Sequence, residues 1–168
     1  MAKKKNCDKS NGDCIFCKFT KGEMQAPIVY EDKNVLAFLD ISPAGALEGH
    51  TLVLPKKHFV DIEDCAEADL KQVACAIKKI IPAIKKVSGA DGINILQNNG
   101  KCAGQYVMHL HFHLIPRKQG DGIWFETKRR EAKPLELTEV AIQIKNEIKQ
   151  KNQTPPTPKR AQRKEKTQ

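Results

Sequence analysis

Between Met108 and Pro116 the chain reads Met-His-Leu-His-Phe-His-Leu-Ile-Pro, a strict alternation of imidazole and apolar side chains. In an extended segment successive side chains leave on opposite sides, so the pattern commits this stretch to a strand. His109, His111 and His113 then share one face, while Leu110, Phe112 and Leu114 share the other. Neighbouring rings on the imidazole face stand about 7 Å apart. The apolar face requires a core behind it. The other face asks for a ligand, because three of the five histidines of the chain fall on this one row.

Around this strand the pattern predicts further short strands over residues 28–30, 35–39, 51–54 and 93–97, with the histidine strand itself over 107–115. Residues 66–87 have helical spacing, with Leu70, Val73, Ala74, Ile77, Ile80, Ile81, Ile84 and Val87 on one stripe and lysines opposite. Pro82 falls inside that stripe and predicts a kink or two shorter helices. A second helical pattern covers 135–149 through Leu137, Val140, Ile144 and Ile148. The fold class expected is α+β: an antiparallel sheet with one long helix and a C-terminal helix. The organisation expected is a disordered basic lead-in over 1–13, a catalytic domain over 14–130, the C-terminal helix over 131–150 and a disordered basic tail over 151–168.

The net charge of +9 belongs mostly to the ends: residues 151–168 carry six Lys or Arg against one Glu. Such a tail can attract nucleic acid weakly and without sequence preference, or it can be a solvated terminus. Its lack of aromatic residues gives no sign of a nucleic-acid fold. The apolar runs are too short and too interrupted by charge to cross a bilayer, and no secretory signal pattern opens the chain. A soluble cytoplasmic protein without a membrane partner is expected. In that setting the six cysteines argue against a disulfide framework. Cys14-Ile-Phe-Cys17 is a C-x-x-C, compatible with redox chemistry, zinc or two free thiols, although no βαβ pattern surrounds it.

Two chemistries use a row of imidazoles. One is a transition-metal site made by all three rings. The other is phosphoryl chemistry, in which one ring attacks phosphorus and its neighbours bind the oxygens. The stretch Asn98-Asn-Gly-Lys-Cys-Ala-Gly-Gln105 leads into the row and offers amide side chains and glycine-rich backbone, which suits an anion better than a metal.

Gly104-Gln-Tyr-Val-Met-His-Leu-His-Phe-His-Leu-Ile115 resembles the signature of the histidine triad superfamily of nucleotide hydrolases and transferases. Phe38-Leu-Asp-Ile-Ser-Pro43 and Gly49-His-Thr-Leu-Val-Leu-Pro-Lys-Lys-His58 resemble its ribose-binding and second-histidine segments, and the likeness runs in order from about Cys14 to Arg117. The resemblance implies that His111 is a nucleophile forming a transient nucleotidyl-histidine, with His113 and His50 on the α-phosphate. It implies that Asp40 binds the ribose hydroxyls, that Phe16, Phe19, Phe38 and Ile41 form a slot for the purine, and that Asn98, Gly104, Gln105 and Tyr106 meet phosphate oxygens or the leaving group. Taken singly, the four apolar residues are expected in the core. A carbonyl near 40–43 or His50 is expected to fix the tautomer of His111.

The microbial branch of the family further implies a structural zinc held by Cys14, Cys17, His58 and His109. Relatives usually form homodimers, with Trp124 and Phe125 as candidate packing residues. Two departures stand out. Tyr106 replaces a Ser or Thr common in phosphoramidase members, which bears on the leaving group, and the loop over 42–49 is two residues longer than in mammalian-type members. The activity implied is phosphoramidase or nucleotidyl hydrolase on an AMP-type purine nucleotide. The alternatives are a dinucleoside polyphosphate hydrolase, a deadenylating enzyme on nucleic acid, a noncatalytic nucleotide-binding regulator and a simple metal-binding protein.

Overall fold

The structure is a computed structural model that describes residues 14–43, 48–123 and 133–153. The lead-in, the basic tail beyond residue 153, Trp124, Phe125 and the middle of the 42–49 loop lie outside these residues. The elements are α1 (Ile15–Thr20), β1 (Ile28–Glu31), β2 (Val35–Leu39), β3 (Thr51–Pro55), α2 (Glu67–Ser88), β4 (Gly92–Gln97), β5 (Phe112–Arg117) and α3 (Pro134–Gln153), with one short 3₁₀ turn, Lys101–Ala103. The five strands form one antiparallel sheet in the order β1-β2-β3-β5-β4, the α+β arrangement expected.

Period-two alternation decides which residues face which layer. Val35 and Ala37 of β2, Val53 of β3 and Leu114 of β5 pack with Val73, Ala76, Ile77, Ile80 and Ile84 of α2. The alternate residues, Leu36, Phe38, Leu52 and Leu54, face the other side and meet Phe16 of α1. His113 alternates with Phe112 and Leu114, so it shares the α1 side of the sheet. His113 therefore lies on the face that α2 does not cover.

α2 runs for 22 residues through Pro82 as one helix, not the two shorter helices that the proline also allows. Burying Ile80 and Ile84 on either side of the proline is worth about 1.5–3 kcal/mol each, comparable to the roughly 3 kcal/mol local cost of the ring. Ala76 is buried in the stripe, whereas Ala74 and Val87 are exposed. Gly89, at φ 65°, ends the helix in the left-handed conformation that glycine adopts freely. No helix among the described residues is long and apolar enough to cross a membrane. α3 belongs to a second compact unit and by itself shows the expected helical spacing of Leu137, Val140, Ile144 and Ile148.

Candidate active site and metal centre

The histidine row divides. β5 begins at Phe112, not at residue 107, and its pairing with β3 ends at Val53↔Phe112. Upstream of that point the chain leaves the sheet, and Leu110 donates its backbone N–H to the carbonyl of Phe59 at 2.6 Å. His109 is fully buried and turns away from the other two rings, packing instead against His58 with centroids 4.9 Å apart. His111 and His113 stay neighbours at 5.0 Å. A single metal site built from all three rings does not match this division.

His109 belongs to a compact cluster with Cys14, Cys17 and His58. Cys14 precedes the first turn of α1 and Cys17 lies within it, a spacing of three that turns both thiols the same way. Sγ of Cys17 lies 3.2 Å from Nδ1 of His58 and 3.6 Å from Nδ1 of His109, and Sγ of Cys14 is 3.6 Å from the same nitrogen. A tetrahedral zinc with ordinary Zn–S and Zn–N bonds holds sulfur and nitrogen about 3.6 Å apart, so the donors already stand at ligand spacing. The tautomer fits too. His109 donates from Nε2 to the carbonyl of Pro55 at 2.9 Å, which leaves the lone pair of Nδ1 facing the thiols. Burial and the Cys14 thiol beside it push Cys17 up to about 11, the response of a thiol pair that ionises readily only beside a cation. Burial also holds His109 neutral, with its pKa lowered to about 4. The four residues fit zinc, with no position left open.

His111 lies on the other side of that division, beside His113. Its Nδ1 donates to the carbonyl oxygen of His109 at 2.6 Å. That carbonyl, rather than one from residues 40–43 or His50, fixes the tautomer and leaves the lone pair on Nε2. Phe16 packs edge-on to the ring, with centroids 5.2 Å apart. Burial lowers the pKa of His111, opposed by the His109 hydrogen bond and the Asp40 charge, so the ring is held in its neutral form.

His50 and His113 are diagonal neighbours across β3 and β5, since Leu52 pairs with His113. Nε2 of His50 lies 3.0 Å from Nδ1 of His113, and Nδ1 of His50 lies 3.6 Å from Oδ2 of Asp40. Desolvation lowers the pKa of both rings, that of His113 to about 4 with further help from His111 and His50. A carboxylate beside Nδ1 of His50 favours a proton there, so Nε2 of His50 accepts and Nδ1 of His113 donates. Oδ1 of Asp40 accepts the backbone N–H of Ser42 at 2.9 Å, which fixes the carboxylate.

The other expected site residues are placed less uniformly. Phe16 and Phe38 are core residues, and Phe19 is only partly buried beside them, 5.1 Å from Phe38 between centroids. Ile41 is 88% exposed. Asn98 donates to the carbonyl of Gly104 at 3.3 Å. Gln105 is 2% exposed and engaged throughout: its Oε1 accepts from Gly100, and its Nε2 donates to Val60 at 2.7 Å and Val107 at 3.2 Å. The backbone N–H groups of Ala103, Gly104 and Gln105 are bonded within the loop. Gln105 and these amides therefore shape the loop, and the expectation that Gly104 and Gln105 offer ready phosphate donors does not match their engagement. Tyr106 is 95% exposed and does not plug the histidine pocket. Sequence reasoning missed two residues. Pro55 cannot donate to a neighbouring strand, yet its carbonyl orients His109, and Val60 anchors the loop through Gln105.

An α+β sheet protein with a Cys₂His₂ cluster and a neutral, carbonyl-oriented histidine beside a second imidazole pair defines the class. The HIT domain model matches residues 21–120, and the chain belongs to the HIT family. An uncharacterised HIT-like protein of Methanocaldococcus jannaschii is 48% identical over 132 residues, covering 79% of this chain and 98% of that one. The adenosine 5'-monophosphoramidase of Schizosaccharomyces pombe is 35% identical, covering 81% and 98%, and an adenylylsulfatase of Arabidopsis thaliana is 38% identical, covering 79% and 66%. Among solved structures, a Streptococcus mutans protein superposes with a TM-score of 0.78 at 41% identity, covering 82% of this chain and 86% of that one. A zinc-bound histidine triad family protein of Mycobacterium smegmatis superposes at 0.63 with 37% identity, covering 80% and 97%.

Proposed function

We propose that this protein hydrolyses AMP-type purine nucleotides at the α-phosphate, releasing the group attached to it through a covalent nucleotidyl-His111 intermediate. One observation carries the reading: the His111–His109 hydrogen bond leaves Nε2 of a neutral imidazole as the nucleophilic atom. Nε2 attacks phosphorus, the bond to the leaving group breaks, and the departing amine takes up a proton. Water then attacks the same phosphorus, the P–Nε2 bond breaks, and the proton lost by water restores the balance. His113 and His50 bind the phosphate oxygens, with Nε2 of His113 taking up a proton as the anion arrives so that it can donate, and Asp40 receives the ribose hydroxyls. Two relatives support this arithmetic, since the phosphoramidase and the adenylylsulfatase carry names for the same nucleotide with different leaving groups.

Cys14, Cys17, His58 and His109 hold a structural zinc in this reading, which the relative of known structure described as zinc-bound supports. Zinc would tie α1 to the segment preceding His111. The protein works in the cytoplasm as a homodimer, and the outer strands β1 and β4 leave sheet edges where a second copy can pair. The exposure of Tyr106 argues against the noncatalytic alternative in which it blocks the site.

Incubation with adenosine phosphoramidate and with a dinucleoside polyphosphate, alongside His111→Ala, tests the activity. Release of AMP by the wild type alone supports it. Tight AMP binding without turnover of either compound would overturn it.

A further inference from the structure

Asp40, His50 and His113 form a group of three side chains, each offering one donor atom, with all three atoms within 4.8 Å of one another. We propose that this group is a second metal site, distinct from the Cys₂His₂ cluster, that takes a divalent transition metal such as Zn²⁺ in competition with the nucleotide. The metal site stands on its own geometry; the competition rests on the function proposed above.

The donor set is two imidazoles and one carboxylate, a combination that binds first-row divalent metals and keeps coordination positions open. The Cys₂His₂ cluster closes its tetrahedron with four protein donors. This one has three, so at least one position is left for water or an added ligand. Zinc with ordinary Zn–N and Zn–O bonds holds such donors about 3.4 Å apart. The ring nitrogens of His50 and His113 are already at 3.0 Å, so opening them by a few tenths of an ångström admits the ion. Asp40 completes the set. Its Oδ1 is held by Ser42, and its Oδ2 stands 3.6 Å from Nδ1 of His50, the ring nitrogen that does not meet His113. The carboxylate must therefore swing toward Nε2 of His50, within the 4.8 Å that spans the three donors, to share one ion with both rings.

Protonation does not stand in the way. Both rings are neutral at pH 7, because burial lowers their affinity for protons more than Asp40 raises it. The proton that bridges the two rings shifts to Nε2 of His113 as Nδ1 takes the metal, so binding releases no proton at pH 7 and weakens only in acid, where the rings themselves take up protons. The two imidazoles are buried or half-buried while the carboxylate reaches the edge of the site, a layout that admits an ion from solvent. With metal in place His113 can no longer take up the second proton that charges it to meet phosphate oxygens, and Asp40 can no longer receive the ribose. Metal and nucleotide then exclude each other.

Protein already loaded with one equivalent of zinc is titrated with Co²⁺ and followed in the visible and near ultraviolet. The proposal predicts one further equivalent with d–d bands and no sulfur-to-cobalt charge transfer. It predicts at least tenfold weaker binding in Asp40→Asn and in His50→Ala, and loss of the bands on adding AMP. Asp40→Asn is near-isosteric and partly exposed, so it reports on the site even if the buried His50 variant folds poorly. No second equivalent, unchanged affinity in Asp40→Asn, or a charge-transfer band from Cys65, Cys75 or Cys102 would overturn the site while leaving the hydrolase reading intact. A second equivalent that saturating AMP does not disturb would overturn the competition and count against nucleotide binding at these histidines.

Discussion

The carbonyl oxygen of His109 accepts a 2.6 Å hydrogen bond from Nδ1 of His111. His109 presents its own Nδ1 to Cys14 and Cys17 while its Nε2 donates to Pro55. One residue thus joins two centres. Its side chain belongs to the Cys₂His₂ cluster proposed to hold zinc, and its backbone orients the ring proposed as the nucleophile.

Because of that link, removing the metal reaches beyond stability. Cys17→Ser is expected to lose near-stoichiometric zinc and to lower the melting temperature by more than about 5 °C, as a lost structural metal does in a domain of this size. It should also reduce kcat, because the segment that carries the His109 carbonyl is no longer pinned. Metal analysis, thermal denaturation and turnover on one preparation check the three effects together.

Much of this was legible in the sequence. The alternation over 108–116 fixes Phe112, His113 and Leu114 correctly, because β3 and β4 both pair with β5 there. It fails for His109, since pairing with β4 ends at Gln97↔Phe112 and the residues after β4 form the 98–104 loop. Periodicity reports which side a residue faces only while the strand lasts, and it does not report where pairing stops. The role of Gln105 was illegible for a similar reason. An amide beside glycines reads as a ligand-binding group, and only the positions of Val60, Gly100 and Val107 show that it is a brace.

Gln105→Ala leaves a buried amide N–H and two carbonyls without their partner, a loss of about 1–3 kcal/mol. A drop of several degrees in melting temperature is the expected outcome. The KM for nucleotide should rise as well, since the Asn98–Gly104 loop loses its anchor to Val60. Unchanged stability would contradict the bracing role.

In the proposed binding mode Asp40→Asn removes the charge that meets the ribose hydroxyls. Hydrogen bonds to charged groups contribute about 1.5–3 kcal/mol, so a tenfold to hundredfold rise in KM is expected. Comparing ribo- and 2'-deoxyribonucleotides in wild type and variant separates this contact from a general disturbance. The two losses should not add, because both delete the same bond.

His113 also sets a pH dependence of stability. Its pKa falls from 6.5 in the unfolded chain to about 4 in the fold, so between these values the unfolded state binds more protons. The preference for the folded form is complete above about 6.5, declines as the pH drops, and levels off below about 4. Denaturation midpoints across that window, compared with His113→Gln, should show a shallower decline in the variant.

The most direct test of the account is acid quenching of the enzyme during turnover of adenosine phosphoramidate, followed by peptide mass mapping. The account predicts a nucleotidyl group on His111, absent from His111→Ala. A modified His109 or His113, or steady turnover with His111 unmodified at every time point, would contradict it.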